Sequence, residues 1–153
     1  MAMKMTGEIV LAQSRAVVWA ALNDVNVVKA CITGCQELER VEPHVMKAKV
    51  KVGIGPVSAN FVGTVRFLNV DEPNSFTLAG KGEGGVAGFA EGMANVVLTE
   101  SESGETVMRY DVKTTVGGKL AQLGGRLIDG VAKRYADAFF VTLVNELNQA
   151  RAA

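Results

Sequence analysis

The chain has 153 residues, enough for one domain with a core of its own, and nothing in it marks a linker, an internal repeat or a second domain. Hydrophobic residues make up 48% and charged residues 21%, the balance of an ordinary globular protein rather than a disordered one. Lys plus Arg and Asp plus Glu both number 16, so the basic excess that nucleic-acid binding calls for is absent and no nucleic-acid partner is expected.

Residues 3–11 alternate, with Met3, Met5, Gly7, Ile9 and Leu11 on one face and Lys4, Thr6 and Glu8 on the other, which predicts a strand. Ser14 is a helix N-cap candidate ahead of residues 15–22, and Asn23 or Asp24 opens a second short helix to about Lys29. Cys31-Ile32-Thr33-Gly34-Cys35 reads as a loop. Six strands are then predicted over 37–41, 45–52, 57–70, 76–81, 89–99 and 106–116. Pro43-His44, Gly53–Pro56, Asp71–Asn74 and Ser101–Glu105 supply the turns, and a glycine-rich stretch separates the fourth and fifth of these strands. From 119 to 149 the period changes to that of one long amphipathic helix. Leu120, Leu123, Leu127, Ile128, Val131, Tyr135, Ala138 and Phe139 share its apolar side.

A sheet this large beside one long helix has to curve around that helix to bury both apolar faces. Alternation puts Met46, Ala48, Val50 and Val52 inward, with Val57, Ala59, Phe61, Gly63, Val65 and Phe67 beside them. Phe76, Leu78, Ala90, Gly92, Ala94, Val96, Leu98, Met108, Tyr110, Val112 and Thr114 complete the face. Many of these are small. Two readings stand side by side: glycines and alanines that leave space for a ligand, or glycines that bend the sheet.

No stretch approaches the ~18 continuous apolar residues of a membrane-spanning helix, and the first residues lack the apolar run of a secretory signal. The expected location is therefore cytoplasmic. Cys31 and Cys35 are two thiols with only one histidine, His44, on a turn, so no metal site and no cofactor are expected. The same shortage leaves few candidates for a nucleophilic triad, and no catalytic residue is assigned. The glycine-rich segment lacks the Gly-Lys-Ser/Thr ending of a phosphate loop; it reads as a hairpin over the cavity mouth, with Phe89 as a gate or the hairpin simply mobile. Trp19 reads as core. Phe140, Val144 and Leu147 fall on the side that is polar earlier in the helix, which leaves them packing under the first strand and short helices or forming a patch for a partner or a homodimer.

The order strand, two helices, six strands, helix resembles the helix-grip fold of the START and Bet v 1-like superfamily. That fold is α+β, with a curved seven-stranded antiparallel sheet around a long C-terminal helix. More narrowly the chain resembles the carbon monoxide dehydrogenase CoxG family. The stretches that carry the likeness are residues 18–24, Cys31–Cys35, Val52–Val57, Pro73–Phe76, Gly80–Phe89 and Gly117–Gly124. The superfamily resemblance implies an apolar cavity for a hydrophobic small molecule, lipid- or quinone-like. The family resemblance implies service to a carbon monoxide dehydrogenase-type molybdenum hydroxylase, in its maturation or its recruitment to the inner face of the membrane. Polyketide cyclases of the superfamily use tyrosine, arginine or carboxylates inside the cavity, so Tyr110, Arg134 and Tyr135 are what a cyclase or dehydratase alternative would use; an assembly factor without a ligand is the other. Thr33 stands where the family usually has Pro. Many members also continue past the helix into an apolar tail, so direct anchoring is not expected of a chain ending at Ala153. The expected ligand-contacting residues are Phe61, Val65, Phe67, Phe76, Leu78, Phe89, Ala94, Val96, Met108, Tyr110, Leu123, Leu127, Val131, Arg134 and Tyr135.

Overall fold

The computed structural model describes residues 1–152; Ala153 lies outside the described residues. The chain opens with β1 (Ala2–Leu11), α1 (Arg15–Leu22) and α2 (Val25–Cys31), followed by β2 (Cys35–Glu42), β3 (Val45–Ile54), β4 (Val57–Asp71) and β5 (Ser75–Glu83). A single 3-10 turn at Gly85–Ala87 leads into β6 (Phe89–Glu100) and β7 (Thr106–Gly117). α3 (Lys119–Gln122) and α4 (Gly125–Ala152) close the chain. Local chemistry sets the short helices. The Ser14 hydroxyl accepts from the Val17 N–H, and the Asp24 carboxylate accepts from the N–H groups of Asn26 and Val27, which supplies partners for donors that a helix start leaves free.

The seven strands form one antiparallel sheet in the order β1-β7-β6-β5-β4-β3-β2. The return of β1 beside β7 follows from ten residue pairs, Ala2 opposite Thr115 through Leu11 opposite Thr106. Long hairpins join the rest, and the expected meander, its inward register and the two short helices are all present. β4 runs longest; near its end Asn69 takes φ 52° where the pairing to β5 slips, a bulge inside the sheet.

The long helix departs from expectation. Gly124, with φ +90°, breaks it after one turn, so α3 and α4 are separate elements. A single helix drawn from Leu120 carries the wrong phase into α4. The interior stripe of α4 is Ile128, Val131, Ala132, Tyr135, Ala136, Phe139, Phe140, Leu143 and Leu147, rotated roughly a quarter turn from the expected one. Leu127 is consequently 38% exposed beside the Gly55 turn, and Arg134 is exposed to solvent. Leu143 and Leu147 are buried at 0% and 2%, with Phe140 and Val144 packed on the same cluster, so of the two readings for this end of the helix the buried one holds.

The interior consists of two apolar clusters. The larger joins α1, α2 and the C-terminal half of α4 to the sheet through residues such as Leu11, Val18, Leu98 and Leu143. Trp19 belongs to it, meeting Phe76 edge-on at 5.3 Å and donating its indole N–H to Glu72 at 3.0 Å. The smaller cluster gathers Ile54, Phe61, Ala87, Val116, Leu120, Ile128 and Val131 at the other end of the sheet.

Candidate functional site

A cavity of about 470 Å³ lies between the sheet and α4. Its sheet side is built from inward residues of every strand: Met5, Leu38, Met46, Ala48, Val65, Phe67, Phe76, Leu78, Ala94, Val96, Met108, Tyr110 and Val112. Ala132, Tyr135, Ala136, Phe139 and Phe140 of α4 form the roof, and Leu22, Val28, Ile32 and Thr33 close the α2 side. A shallower extension of about 370 Å³ shares Ile32, Ala48, Val65, Leu78, Ala94 and Val112 with it and adds Val50, Phe61, Gly80, Gly82, Ala90 and Thr114. Several inward-pointing residues, Ala48, Val65, Leu78, Ala94 and Val112 among them, remain only half-buried. Side chains on the concave face of a sheet under a helix would be sealed if the interior were filled. Their residual exposure comes from the hollow.

Both readings of the small residues hold at different positions. A Cβ on Gly63 would sit 2.8 Å from the Lys81 carbonyl, and one on Gly92 would overlap the Lys113 carbonyl, so these two permit close strand approach where the sheet bends. A Cβ on Gly80 would meet nothing nearer than 3.7 Å, so that glycine leaves space.

The lining side chains are hydrocarbon or thioether except those of Thr33, Tyr110 and Tyr135, which carry hydroxyls. Aromatic rings pack against one another in its wall: Tyr110 stacks on Phe140 at 5.1 Å and 29°, Phe139 meets Phe140 edge-on at 5.5 Å, and Phe67 lies 5.4 Å from Phe76. The Tyr110 phenol extends over Gly7 of β1, where any Cβ would overlap its hydroxyl. Burial pushes the Tyr110 phenol up from its ordinary pKa, helped by the Asp137 charge and opposed by Lys133, so it is a neutral donor or acceptor at neutral pH.

Of the residues expected to contact a ligand, the structure brings Val65, Phe67, Phe76, Leu78, Ala94, Val96, Met108, Tyr110 and Tyr135 around the main cavity. Phe61 lines the shallower extension. Five others do not line the main cavity. Leu123 and Val131 pack in the smaller cluster, while Leu127 and Arg134 lie on the wrong side of α4 for the reason given above. Phe89 is paired with Glu83 and Gly117 on the outer face of the sheet, its ring lying against Gly117, so it does not gate the cavity. Of the α4 residues that line the cavity, Ala132 and Ala136 fall outside the expected stripe because of the phase error, whereas Phe139 lies on it and Phe140 was expected under the first strand and short helices or in a surface patch. Thr33 and Ile32 were missed because a loop carries no periodicity to aim it.

Cys31 is buried and Cys35 half-buried, both as free thiols. Burial, with Glu146 nearby, pushes the Cys31 thiol up to about 11. Among the described residues no three His, Cys, Asp or Glu side chains converge as metal ligands, and His44 is on the exposed β2–β3 turn. Among the same residues no helix is long and apolar enough to cross a membrane.

Comparison with known proteins agrees with this architecture. A conserved protein from Geobacillus kaustophilus is 30% identical over 97% of each chain and superposes with a TM-score of 0.91. A START superfamily protein from Mycobacterium smegmatis is 12% identical, with a TM-score of 0.73 over 96% of this chain and 98% of that one. The Zhui aromatase/cyclase from a Streptomyces species is 10% identical, with a TM-score of 0.69 over 97% and 95%. These last two share the fold. No curated protein sequence matches. The model of the family described as the carbon monoxide dehydrogenase subunit CoxG matches residues 7–148, and with that span the chain belongs to the carbon monoxide dehydrogenase CoxG family.

Proposed function

We propose that the protein binds one uncharged, largely hydrocarbon small molecule, lipid- or quinone-like, in its internal cavity. In this reading it serves a carbon monoxide dehydrogenase-type molybdenum hydroxylase, in maturation or in recruitment to a membrane. The observation that carries the ligand half is the lining. A hollow of about 470 Å³ walled by apolar side chains from all seven strands and α4 is a solvent for apolar matter, and three hydroxyls are enough to orient a carbonyl or hydroxyl group. A charged ligand would lose its hydration there without a counter-charge to replace it, since Arg134 stands outside. The partner half rests on family membership.

The cyclase or dehydratase alternative would need acid–base groups converging on the ligand. The candidates that reach the cavity are Tyr110 and Tyr135. Extraction of the purified protein with organic solvent, followed by mass spectrometry, tests the reading. A single apolar compound in stoichiometric amount is expected. A protein that is consistently empty and binds neither quinones nor lipids on addition overturns it.

A further inference from the structure

The outer face of the sheet, turned away from α4, carries a trough of about 850 Å³. One cross-strand row runs through it. Arg66 is opposite Ala79, Ala79 opposite Met93, Met93 opposite Lys113, and Lys113 opposite Lys4. Residues directly opposite in an antiparallel sheet project to the same face, so the row reads cation, two apolar residues, two cations. The face is open: Met93 is 49% exposed and the neighbouring Val62 47%.

Charge in the row is not balanced from within. Lys4 and Lys113 face each other as a like-charged pair, an arrangement that costs stability. Among the described residues no ion pair reaches Lys4, Arg66 or Lys113. The trough's two carboxylates, Glu83 and Glu91, both turn to Lys81, at 3.6 and 4.0 Å. Asp111, next along β7, accepts from the Asn95 amide at 3.3 Å.

We propose that this face docks an acidic protein segment. One of its carboxylates meets Arg66, another meets the Lys4–Lys113 pair, and an apolar side chain between them covers Ala79 and Met93. Arg66 and Lys113 are three strands apart, which sets the carboxylates ~14 Å from one another at ~4.8 Å per strand. Glu83 and Glu91 inside the trough repel a uniformly anionic surface such as a lipid headgroup layer, and they favour discrete carboxylates on a protein. The internal cavity takes no part, so this proposal and the ligand reading fail separately.

The test uses the isotope-labelled full chain, titrated with an acetylated and amidated Glu-Glu-Leu-Leu-Glu-Glu peptide. Its lysine counterpart and phosphatidylglycerol vesicles serve as controls. Amide shifts should concentrate at Arg66, Ala79, Met93 and Lys113 and fade with added salt. Lys113→Glu should weaken the peptide about three- to tenfold. It should also leave Tm unchanged or raise it by about 1–3 °C, because it removes the like-charged pair. A stability gain coupled to a binding loss is the signature of a cation kept for a partner. Shifts elsewhere, an affinity that Lys113→Glu leaves unchanged, or equal binding of the lysine peptide overturns the proposal. So does engagement of the same amides by vesicles alone, or by a second copy of the chain.

Discussion

Ala94 occupies the middle of β6, points inward and remains half-buried because it borders the hollow. In a filled interior, Ala94→Leu would overpack and cost about 1–3 kcal/mol. Here the three added carbons enter a space of about 470 Å³. At ~0.8 kcal/mol per buried CH₂, less the ~0.5–1 kcal/mol of rotamer freedom a leucine loses, the substitution should stabilise by about 1–2 kcal/mol. For a chain of this length that is a rise of roughly 2–8 °C in Tm. Differential scanning calorimetry on solvent-extracted protein measures it. Binding of an apolar ligand, followed by titration calorimetry, should weaken in parallel as the space shrinks. A fall in Tm, or a rise with affinity untouched, would refute the reasoning.

Leu143→Ala and Leu127→Ala test the phase of α4. The first should cost about 2–5 kcal/mol and the second less than about 0.5 kcal/mol in urea unfolding, and the reverse order would restore the unbroken helix. Gly7→Ala should cost about 1–3 kcal/mol because the new methyl overlaps Tyr110, with part of the loss recovered in the double variant with Tyr110→Leu; additive effects in that cycle would show that the two do not meet. Tyr110→Phe keeps the stack on Phe140 and should change stability by less than about 1 kcal/mol, while a carbonyl-bearing ligand binds about five- to tenfold more weakly. Cys31 is held protonated in the folded state up to about pH 11, against an ordinary thiol near 9. The folded protein therefore binds more protons than the unfolded chain between these values, so its contribution is present below pH 9 and is lost as pH rises toward 11. Chemical unfolding across that window should show this slope, and Cys31→Ala should flatten it.

The fold was largely legible because its signals are local. Alternation in Val57–Asp71 and in Phe89–Glu100 identifies both the strands and their inward faces, and Ser14 and Asp24 mark the short helices by capping chemistry. The sheet half of the cavity followed from that alternation, as Val65, Leu78, Ala94 and Tyr110 illustrate. The helical half did not. Gly124 and Gly125 each lower helix propensity by ~1 kcal/mol against Ala, but whether two glycines break a helix or are tolerated depends on tertiary contacts, and the break at Gly124 offsets the stripe of α4 from one drawn from Leu120. Leu127 was misplaced for that reason, and Arg134, at the edge of the expected stripe, reaches water. Phe89 failed differently. Strand alternation would have put it on the face opposite Ala90, and its place beside a glycine-rich hairpin drew it toward a gating role that the register forbids.

The central claim is that the cavity holds an apolar molecule. Titration calorimetry of solvent-extracted protein with a short-chain quinone and, separately, a fatty acid tests it most directly, with Ala94→Leu alongside. The account predicts one-to-one binding of at least one of them with a negative heat-capacity change, the mark of apolar surface leaving water, and weaker binding by the variant. No binding of either, or binding that Ala94→Leu leaves untouched, contradicts it.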